Sequence, residues 1–363
     1  MASREQAQPN RRRLRNFIYL TGGLIVLLAL AGAWYTGKVG PFGNRTVSRS
    51  EQSRNGQAYN HYRQGKLLMD RKLPNDPATA LTEFESAIAL DPEYAAAYAG
   101  KADAMFGKFW RTGAHADVVQ ARAAAVKAVA LDSDISYAYT VLCRIKYTYD
   151  WDFAAAEEDC RRAIEADPAS ADARHELAMG LISTGRKAEA LAEIETAISL
   201  LPTSYYKGQR GTILYFSRRF DEAIEQIEQV RSTDPEFGHA VHFLVRAYER
   251  KQDYDNAFRV YLHLQSRRNI PDVTEQLKKV YTANGWRGIS LEMIETHPNN
   301  NNSPPSLAAI YCQLGDNDKA FEQLAKGFDQ RSLWMAHILM EPRFDPCRGD
   351  PRFKEFIKKV YGN

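Results

Sequence analysis

The feature that most constrains the fold is a short pattern of small residues that recurs along the chain at a nearly constant spacing. The pattern is Ala-x6-Ala-x4-Pro, and its copies begin at Ala80, Ala156 and Ala190, with variants at Ala121 and Ala223. Successive copies lie about 34 residues apart, a period typical of stacked helix pairs. The spacing therefore predicts an array of helix pairs.

Residues 171–202 show one copy most clearly, as two amphipathic helices on either side of a turn at Gly185. Their apolar positions lie three or four apart, as on the packed face of a helix: Leu177, Leu181, Ala190, Ile194 and Ala197. A pair this small cannot bury its apolar side alone, so neighbouring copies must cover it. Alanine allows the helices to approach closely, and the proline ends the second helix.

The period and the small residues at fixed helical positions resemble the tetratricopeptide repeat. This resemblance implies an all-α fold, a right-handed superhelical solenoid in which the first helix of each pair lines the concave face. We expect about seven to eight pairs over residues 56–331. Residues 332–363 are predicted to form a C-terminal helical cap that seals the open end of the array.

The N-terminal region predicts a membrane anchor. Residues 1–16 are rich in arginine and are expected to form a disordered cytoplasmic tail, and residues 38–55 to form a linker. Residues 17–37 carry no charge, and about 20 such residues span a bilayer as a helix. The arginines before this span place the N-terminus in the cytoplasm and the repeats outside it, on a bacterial inner membrane.

A cleaved signal peptide is the alternative interpretation of the same region. Ala31-Gly32-Ala33 follows the apolar stretch and matches the small-residue cleavage pattern of secreted proteins. The stretch is long for a signal peptide, which favours a retained signal anchor. Both interpretations place the repeats outside the cytoplasm.

Two further stretches extend the resemblance to one bacterial group. They are Tyr149-Asp150-Trp151-Asp152, and Pro342-Arg343-Phe344-Asp345-Pro346 followed by Asp350-Pro351-Arg352-Phe353. They look like the tetratricopeptide tails of membrane-anchored winged-helix transcription regulators. In those regulators a DNA-binding domain precedes the membrane span, whereas only 16 residues precede it here. The resemblance implies a sensor or scaffold half without its DNA-binding domain.

No motif predicts catalysis, a cofactor or a metal ion. The formal net charge of +3 gives no basic face for nucleic acid. His175-Glu176 lacks the second histidine of a zinc protease motif, and no glycine-rich loop joins a strand to a helix. We therefore expect a non-enzymatic protein without cofactors.

The alanine register predicts which first-helix residues face the concave side. They form an apolar and aromatic strip with a basic end, which suits an extended or helical protein segment with apolar anchors. The alternative for each residue is packing against the next repeat. The predicted groove consists of Tyr149, His175, Met179, Tyr205, Tyr215, Phe216, His239, His242 and Arg246.

The four cysteines of the chain bear on whether the repeats lie in an oxidising or a reducing cellular compartment. Cys143 and Cys160 lie on the two helices of the third pair, at positions that face each other, and form a candidate disulfide for an oxidising compartment. Cys312 and Cys347 lie in the last pair and the cap, where a bond would staple the end. The alternative is four free, buried thiols.

The sequence as a whole predicts a membrane-anchored scaffold for protein–protein interaction, with an unidentified protein or peptide as its partner. The alternative is a sensory subunit that binds a peptide or small ligand and signals through the anchor to a cytoplasmic partner.

Overall fold

The computed structural model describes residues 53–71, 76–235, 237–267, 270–296 and 304–362. These residues contain sixteen α-helices and no strand. The helices are α1 (Gly56–Asp70), α2 (Asp76–Leu90), α3 (Ala95–Thr112), α4 (His115–Leu131), α5 (Ser136–Ile145), α6 (Phe153–Ala166), α7 (Ala171–Ser183), α8 (Lys187–Leu200), α9 (Ser204–Phe216), α10 (Phe220–Thr233), α11 (Val241–Arg250), α12 (Tyr254–Ser266), α13 (Val273–Thr296), α14 (Pro304–Leu314), α15 (Asn317–Asp329) and α16 (Pro351–Tyr361).

Consecutive helices pack as antiparallel pairs, and each pair packs on the next. In the fourth pair the side chain of Ser170 caps α7 by accepting a hydrogen bond from the backbone N–H of Ala173 (3.2 Å). On α8, Ala190, Ile194 and Ala197 are buried. The prediction of an all-helical solenoid of stacked pairs is confirmed for the described residues.

The turn inside each pair has a recurring backbone geometry. One residue near the end of the first helix has a positive φ angle, which reverses the chain toward the second helix. From the third to the eighth pair these residues are Trp151, Gly185, Arg218, Gln252, Gly285 and Gly315. Three of the six are not glycine, so glycine positions alone mark only half of the turns.

Small residues occur where neighbouring helices approach closely. A Cβ atom added to Gly211 on α9 would lie 2.5 Å from a side-chain carbon of Ile227 on α10. No such contact is tolerated between real side chains, so this pair depends on glycine.

The seventh pair lies within the range of α13 and consists of two short helices joined by a turn at Gly285. The φ and ψ angles of Gly285 are 59° and −156°, outside the helical region. Its first half carries the buried Leu277 and its second half the buried Ile289. The pair is therefore a shortened version of the others.

The segment after α15 contains two short 3₁₀ helices, Leu333–His337 and Pro342–Cys347, followed by α16. Helix α16 packs on α15, where the rings of Phe356 and Phe321 stack with centres 6.2 Å apart. The residues between α15 and α16 were predicted to seal the end of the array, but they instead run back along its inner face. This difference shapes the candidate functional site.

Within the described part of the chain, no helix combines the length and apolar character needed to cross a bilayer. The predicted tail 1–16 and span 17–37, and the predicted linker up to residue 52, lie outside the described residues.

Candidate interaction surface on the concave face

The inner face of the array holds residues 332–349, which we call the strap. The strap contacts the first helices of several pairs rather than the last pair alone. Its residues Met335, Ala336, Ile338 and Phe344 are almost completely buried. The strap is therefore part of the hydrophobic core and covers the middle of the concave face.

Trp334 of the strap lies between distant repeats. Its ring is edge-on to Trp110 on α3, with centres 6.4 Å apart, and edge-on to His242 on α11, at 5.9 Å. The guanidinium of Arg246 lies 5.6 Å from the ring centre of Trp334, a cation–π arrangement. The second and sixth pairs thus meet the same side chain, which shows how strongly the array curves around the strap.

His337 anchors the strap to the centre of the concave face. Its ring stacks on Phe216 of α9, with centres 5.2 Å apart, and its Nδ1 lies 2.9 Å from the Oγ atom of Ser183 on α7. Burial lowers the pKa of His337 to about 4; Glu341 opposes this shift and Arg246 adds to it. The imidazole is therefore neutral at neutral pH.

Glu341 is the centre of a buried charge cluster. Its carboxylate accepts a hydrogen bond from the hydroxyl of Tyr215, and it pairs with Arg246 (3.2 Å) and Arg343 (3.2 Å). Burial alone would raise the pKa of Glu341, but Arg343 and Arg246 lower it to about 2. A buried carboxylate needs this full set of partners because an unpaired one is costly.

Asp345 fastens the far end of the strap. Both of its carboxylate oxygens accept hydrogen bonds from Arg218, at 2.5 and 2.6 Å, and one also accepts from Arg348 at 2.8 Å. Partial burial alone would raise the pKa of Asp345, but hydrogen bonds from Arg218 and Arg348 together lower it below its usual value. Cys347, two residues later, is bonded to Cys312 on α14.

The predicted groove residues fall into two groups. Four are buried between helices or under the strap: His175, Met179, Tyr215 and Phe216. Tyr215, with no exposed surface, binds Glu341, and Phe216 stacks on His337. Arg246 is largely buried by its pair with Glu341. These residues hold the chain's own strap.

The other groove residues border the covered region, and we call them, together with Trp110, the rim. Tyr149 and Tyr205 are half-buried, and His239 is exposed. The ring of Tyr205 is edge-on to His175 (5.3 Å) and to His239 (5.5 Å). His242 is the innermost rim residue: its side chain is only partly exposed, its ring lies beside Trp334, and its Nε2 is buried. The rim thus offers aromatic and imidazole rings to solvent.

A buried polar network lies beneath the rim. Arg144 on α5 pairs with Asp103 on α3 and with Glu176 on α7 (3.5 Å). The hydroxyl of Tyr147 donates to Glu176 at 3.3 Å, and burial raises the pKa of Tyr147 further above its usual range, with Glu176 adding to the shift. This network ties three first helices together and so fixes the curvature of the face that carries the rim.

The structure joins the cysteines in two pairs. Cys143 on α5 is bonded to Cys160 on α6, with their Cα atoms 5.3 Å apart, and the Cα atoms of Cys312 and Cys347 are 5.7 Å apart. Both distances lie in the usual range for disulfides. The first bond links the two helices of one pair, and the second links the strap to α14.

The strap residues Trp334, His337 and Glu341 were not among the predicted groove residues. The available signal was the ending Pro342-Arg343-Phe344-Asp345-Pro346, where charged residues interrupt apolar ones without helical spacing. Such a pattern indicates an irregular segment whose charges need partners elsewhere. Among the described residues, no group of acidic, histidine or cysteine side chains could hold a metal ion.

Comparison with solved structures finds similar folds in proteins of low sequence identity. A TPR protein from the thermophile Thermus thermophilus is 19% identical over 53% of this chain and 97% of its own, with a TM-score of 0.43. PilF of Pseudomonas aeruginosa is 17% identical over 63% of this chain and 99% of its own, with a TM-score of 0.42. Human IFIT1 is 17% identical over 76% of this chain and 72% of its own, with a TM-score of 0.48. Similarities of this size carry no argument about function.

Comparison with curated protein sequences finds no match. A family model described as tetratricopeptide repeat matches residues 152–205 and 209–271. These ranges include helices α6 to α8, most of α9, and α10 to α12. Phe216 of α9 and His242 of α11 lie within them. Tetratricopeptide repeats generally mediate protein–protein interaction. Residues 152–205 and 209–271 of this chain are therefore tetratricopeptide repeats.

Proposed function

We propose that the protein is a membrane-anchored, non-enzymatic scaffold whose concave face binds an extended segment of a partner protein. One observation carries the proposal: this face already holds a non-repeat segment of the chain, the strap, which consists of short 3₁₀ helices and turns. The strap is held by stacking on Phe216 and by charge pairs to Arg246 and Arg218. The same chemistry can hold a partner's segment.

The rim is the part of this surface that remains accessible. Trp110 is 46% exposed, and Tyr205 and His239 lie along the same face. Tryptophan and tyrosine combine a large apolar area with a polar group, and they dominate the energetics of many protein interfaces. The partner's segment would therefore place apolar or aromatic side chains against the rim.

The anchor and the location of the repeats belong to the same proposal. The uncharged stretch 17–37 and the arginines before it support a span with the N-terminus in the cytoplasm. N-terminal sequencing of the protein from a membrane fraction tests this part. An intact N-terminus is expected, whereas a soluble chain that begins after Ala33 would contradict the anchor.

A sensory role is the second candidate. The ending from Pro342 to Pro346 resembles the tails of membrane-anchored regulators, and in this fold it forms part of the strap. A segment that can cover or uncover a binding face suits a sensor that signals through the anchor. Binding of a peptide or small ligand at the rim would then precede a response in the cytoplasm.

Site-specific photocrosslinking tests the scaffold function. A photoreactive phenylalanine analogue replaces Tyr205 or His239 on the rim, and Val119 or Val126 on the opposite face of the array as matched controls; Val119 is 65% exposed. We expect a discrete protein product from the rim positions in intact cells and none from the valine positions. Equal products from both faces, or none from the rim, would contradict the proposal.

A further inference from the structure

Two imidazoles flank Trp334 at the point where the strap covers the concave face. His337 lies on one side, with ring centres 5.8 Å apart, and His242 lies on the other at 5.9 Å. His337 belongs to the strap and His242 to α11. The contact that closes the strap over the sixth pair is therefore made by groups that can take up a proton.

The hydrogen bonds of Ser183 fix the protonation of His337. The hydroxyl of Ser183 donates to the carbonyl of Met179 (2.8 Å), so its oxygen accepts from Nδ1–H of His337. In a neutral imidazole the second nitrogen, Nε2, is then unprotonated and would receive the added proton.

The surroundings of His337 do not favour a positive charge. Rings from three elements face it: Phe216 of α9, Tyr147 of the π-helical turn that follows α5, and Trp334 of the strap. The charged groups nearby are Glu341, which favours the protonated form, and Arg246, which opposes it. Burial is the largest influence, and the pKa of about 4 reflects it.

His242 is in a similar position on the other side of Trp334. Its Nε2 is buried and has no hydrogen-bond partner, and its ring lies 4.3 Å from that of Phe243. Burial lowers the pKa of His242 well below its usual value. The neighbouring charges of Arg246 and Arg343, and also His239, act in the same direction, while Glu341 opposes them.

We propose that the first half of the strap, residues 332–340, is an acid-releasable cover: protonation of His337 and His242 frees Trp334 from the concave face and uncovers Phe216 and Phe243 for a partner's segment. The last step rests on the proposed scaffold function. The release itself does not, because it concerns only the chain's own contacts.

The second half of the strap stays in place during this release. Glu341 keeps its pairs with Arg246 and Arg343 because its pKa is about 2, and Asp345 keeps Arg218. The bond between Cys347 and Cys312 holds the same end covalently. The geometry therefore places the hinge between Met340 and Glu341, and only the histidine-bearing half opens.

Hydrogen exchange of the full-length protein tests the cover. If the open state has the ordinary histidine pKa of 6.5 and the closed state the value of about 4, the opening equilibrium through His337 rises about 20-fold between neutral pH and about pH 5. We expect this loss of protection, corrected for the intrinsic exchange rate, in residues 332–340. Residues 342–348 and helix α8 should remain protected.

Substitution of the two histidines provides the decisive variant. His337→Asn retains a donor at the position of Nδ1–H, and His242→Phe retains an aromatic ring; neither can be protonated. The double variant should keep its protection at about pH 5, whereas the rim variant His239→Phe should open like the natural protein. Where the double variant is already unprotected at neutral pH, His242→Phe alone should shift the opening to lower pH.

Two outcomes would overturn the cover. One is loss of protection over the whole array at the same pH, because the strap would then unfold with everything else. The other is a double variant, or His242→Phe alone, with the acid response of the natural protein. Neither outcome touches the crosslinking test at Tyr205, so failure of the cover and failure of the scaffold function can be told apart.

Discussion

The covered middle of the concave face and the open rim are built from similar aromatic residues, some of them on the same helix, α9, yet they differ in exposure to solvent. Phe216 and Tyr215 are buried under the strap, whereas Tyr205 and His239 face solvent along the edge. The two groups differ because the strap contacts the second to sixth pairs but leaves the edge uncovered. Aromatic residues on a first helix therefore do not by themselves mark a binding surface.

Truncation of a side chain should show the largest difference in stability between the covered region and the rim. Phe216→Ala removes a ring that packs on His337 and Phe243, and it should lower the free energy of unfolding by about 3–5 kcal/mol. His239→Ala on the rim should change it little. Urea unfolding followed by circular dichroism measures both, and equal effects would mean that the strap does not cover Phe216 in solution.

Removal of the disulfides should have the next largest effect. Loss of the bond from Cys143 to Cys160, 17 residues apart, should cost about 3 kcal/mol, and loss of the bond from Cys312 to Cys347, 35 residues apart, about 4 kcal/mol. Paired alanine substitutions and urea unfolding test these values. Mass spectrometry of alkylated, unreduced protein should show linked peptides; four alkylated cysteines would contradict both bonds.

Acidification should lower the stability of the covered region in two separate pH ranges, one set by His337 and one by Glu341. The pKa of His337 is lowered from 6.5 to about 4. Its contribution to the free energy of unfolding is therefore complete above pH 6.5 and is lost as the pH falls from 6.5 to about 4. The pKa of Glu341 is lowered from 4.5 to about 2, so its contribution is complete above pH 4.5 and is lost toward pH 2. Each range corresponds to about 3 kcal/mol.

Glu341→Gln is the variant that isolates the lower range. It should flatten the pH dependence of stability between about 4.5 and 2 and leave the higher range unchanged. It should also destabilise the protein at neutral pH, because Arg343 and Arg246 lose their carboxylate partner. A pH series of thermal unfolding curves measures both effects, and an unaltered slope in the lower range would refute the assignment.

The smallest expected change in stability comes from glycine substitutions at the turns inside the helix pairs. Gln252 has a φ angle of 59° and an exposed side chain, so Gln252→Gly should stabilise the protein by up to about 1 kcal/mol. Arg218 has a φ angle of 66° but also binds Asp345 of the strap. Arg218→Gly should therefore gain nothing. Thermal unfolding compares the two, and an equal gain would show that the pair with Asp345 is unimportant.

Local sequence patterns were sufficient to predict the helix pairs. Alanine spacing identified the buried positions Ala190 and Ala197, because close helix packing accepts only small side chains there. Gly185 marked one of the turns. Trp151, Arg218 and Gln252 occupy the same conformation without glycine, and so these turns had to be inferred from the period.

The strap could not be predicted in the same way because its contacts are non-local. Tyr215 and Glu341 are 126 residues apart, and Ser183 and His337 are 154 apart. No periodicity connects such residues, and the proline-containing ending has no helical pattern. The predicted groove residues were therefore placed on the right face, but their division between core and rim depended on a segment that the repeat pattern does not describe.

Contact of Trp334 with both Trp110 and His242 also restricts how such a chain can change during evolution. A simple linear array can gain or lose a unit, since every unit touches only its neighbours. Here an insertion between the second and sixth units would separate Trp110 from His242 and leave Trp334 unable to reach both. The contacts of Trp334 therefore constrain the number of repeat units between these two positions.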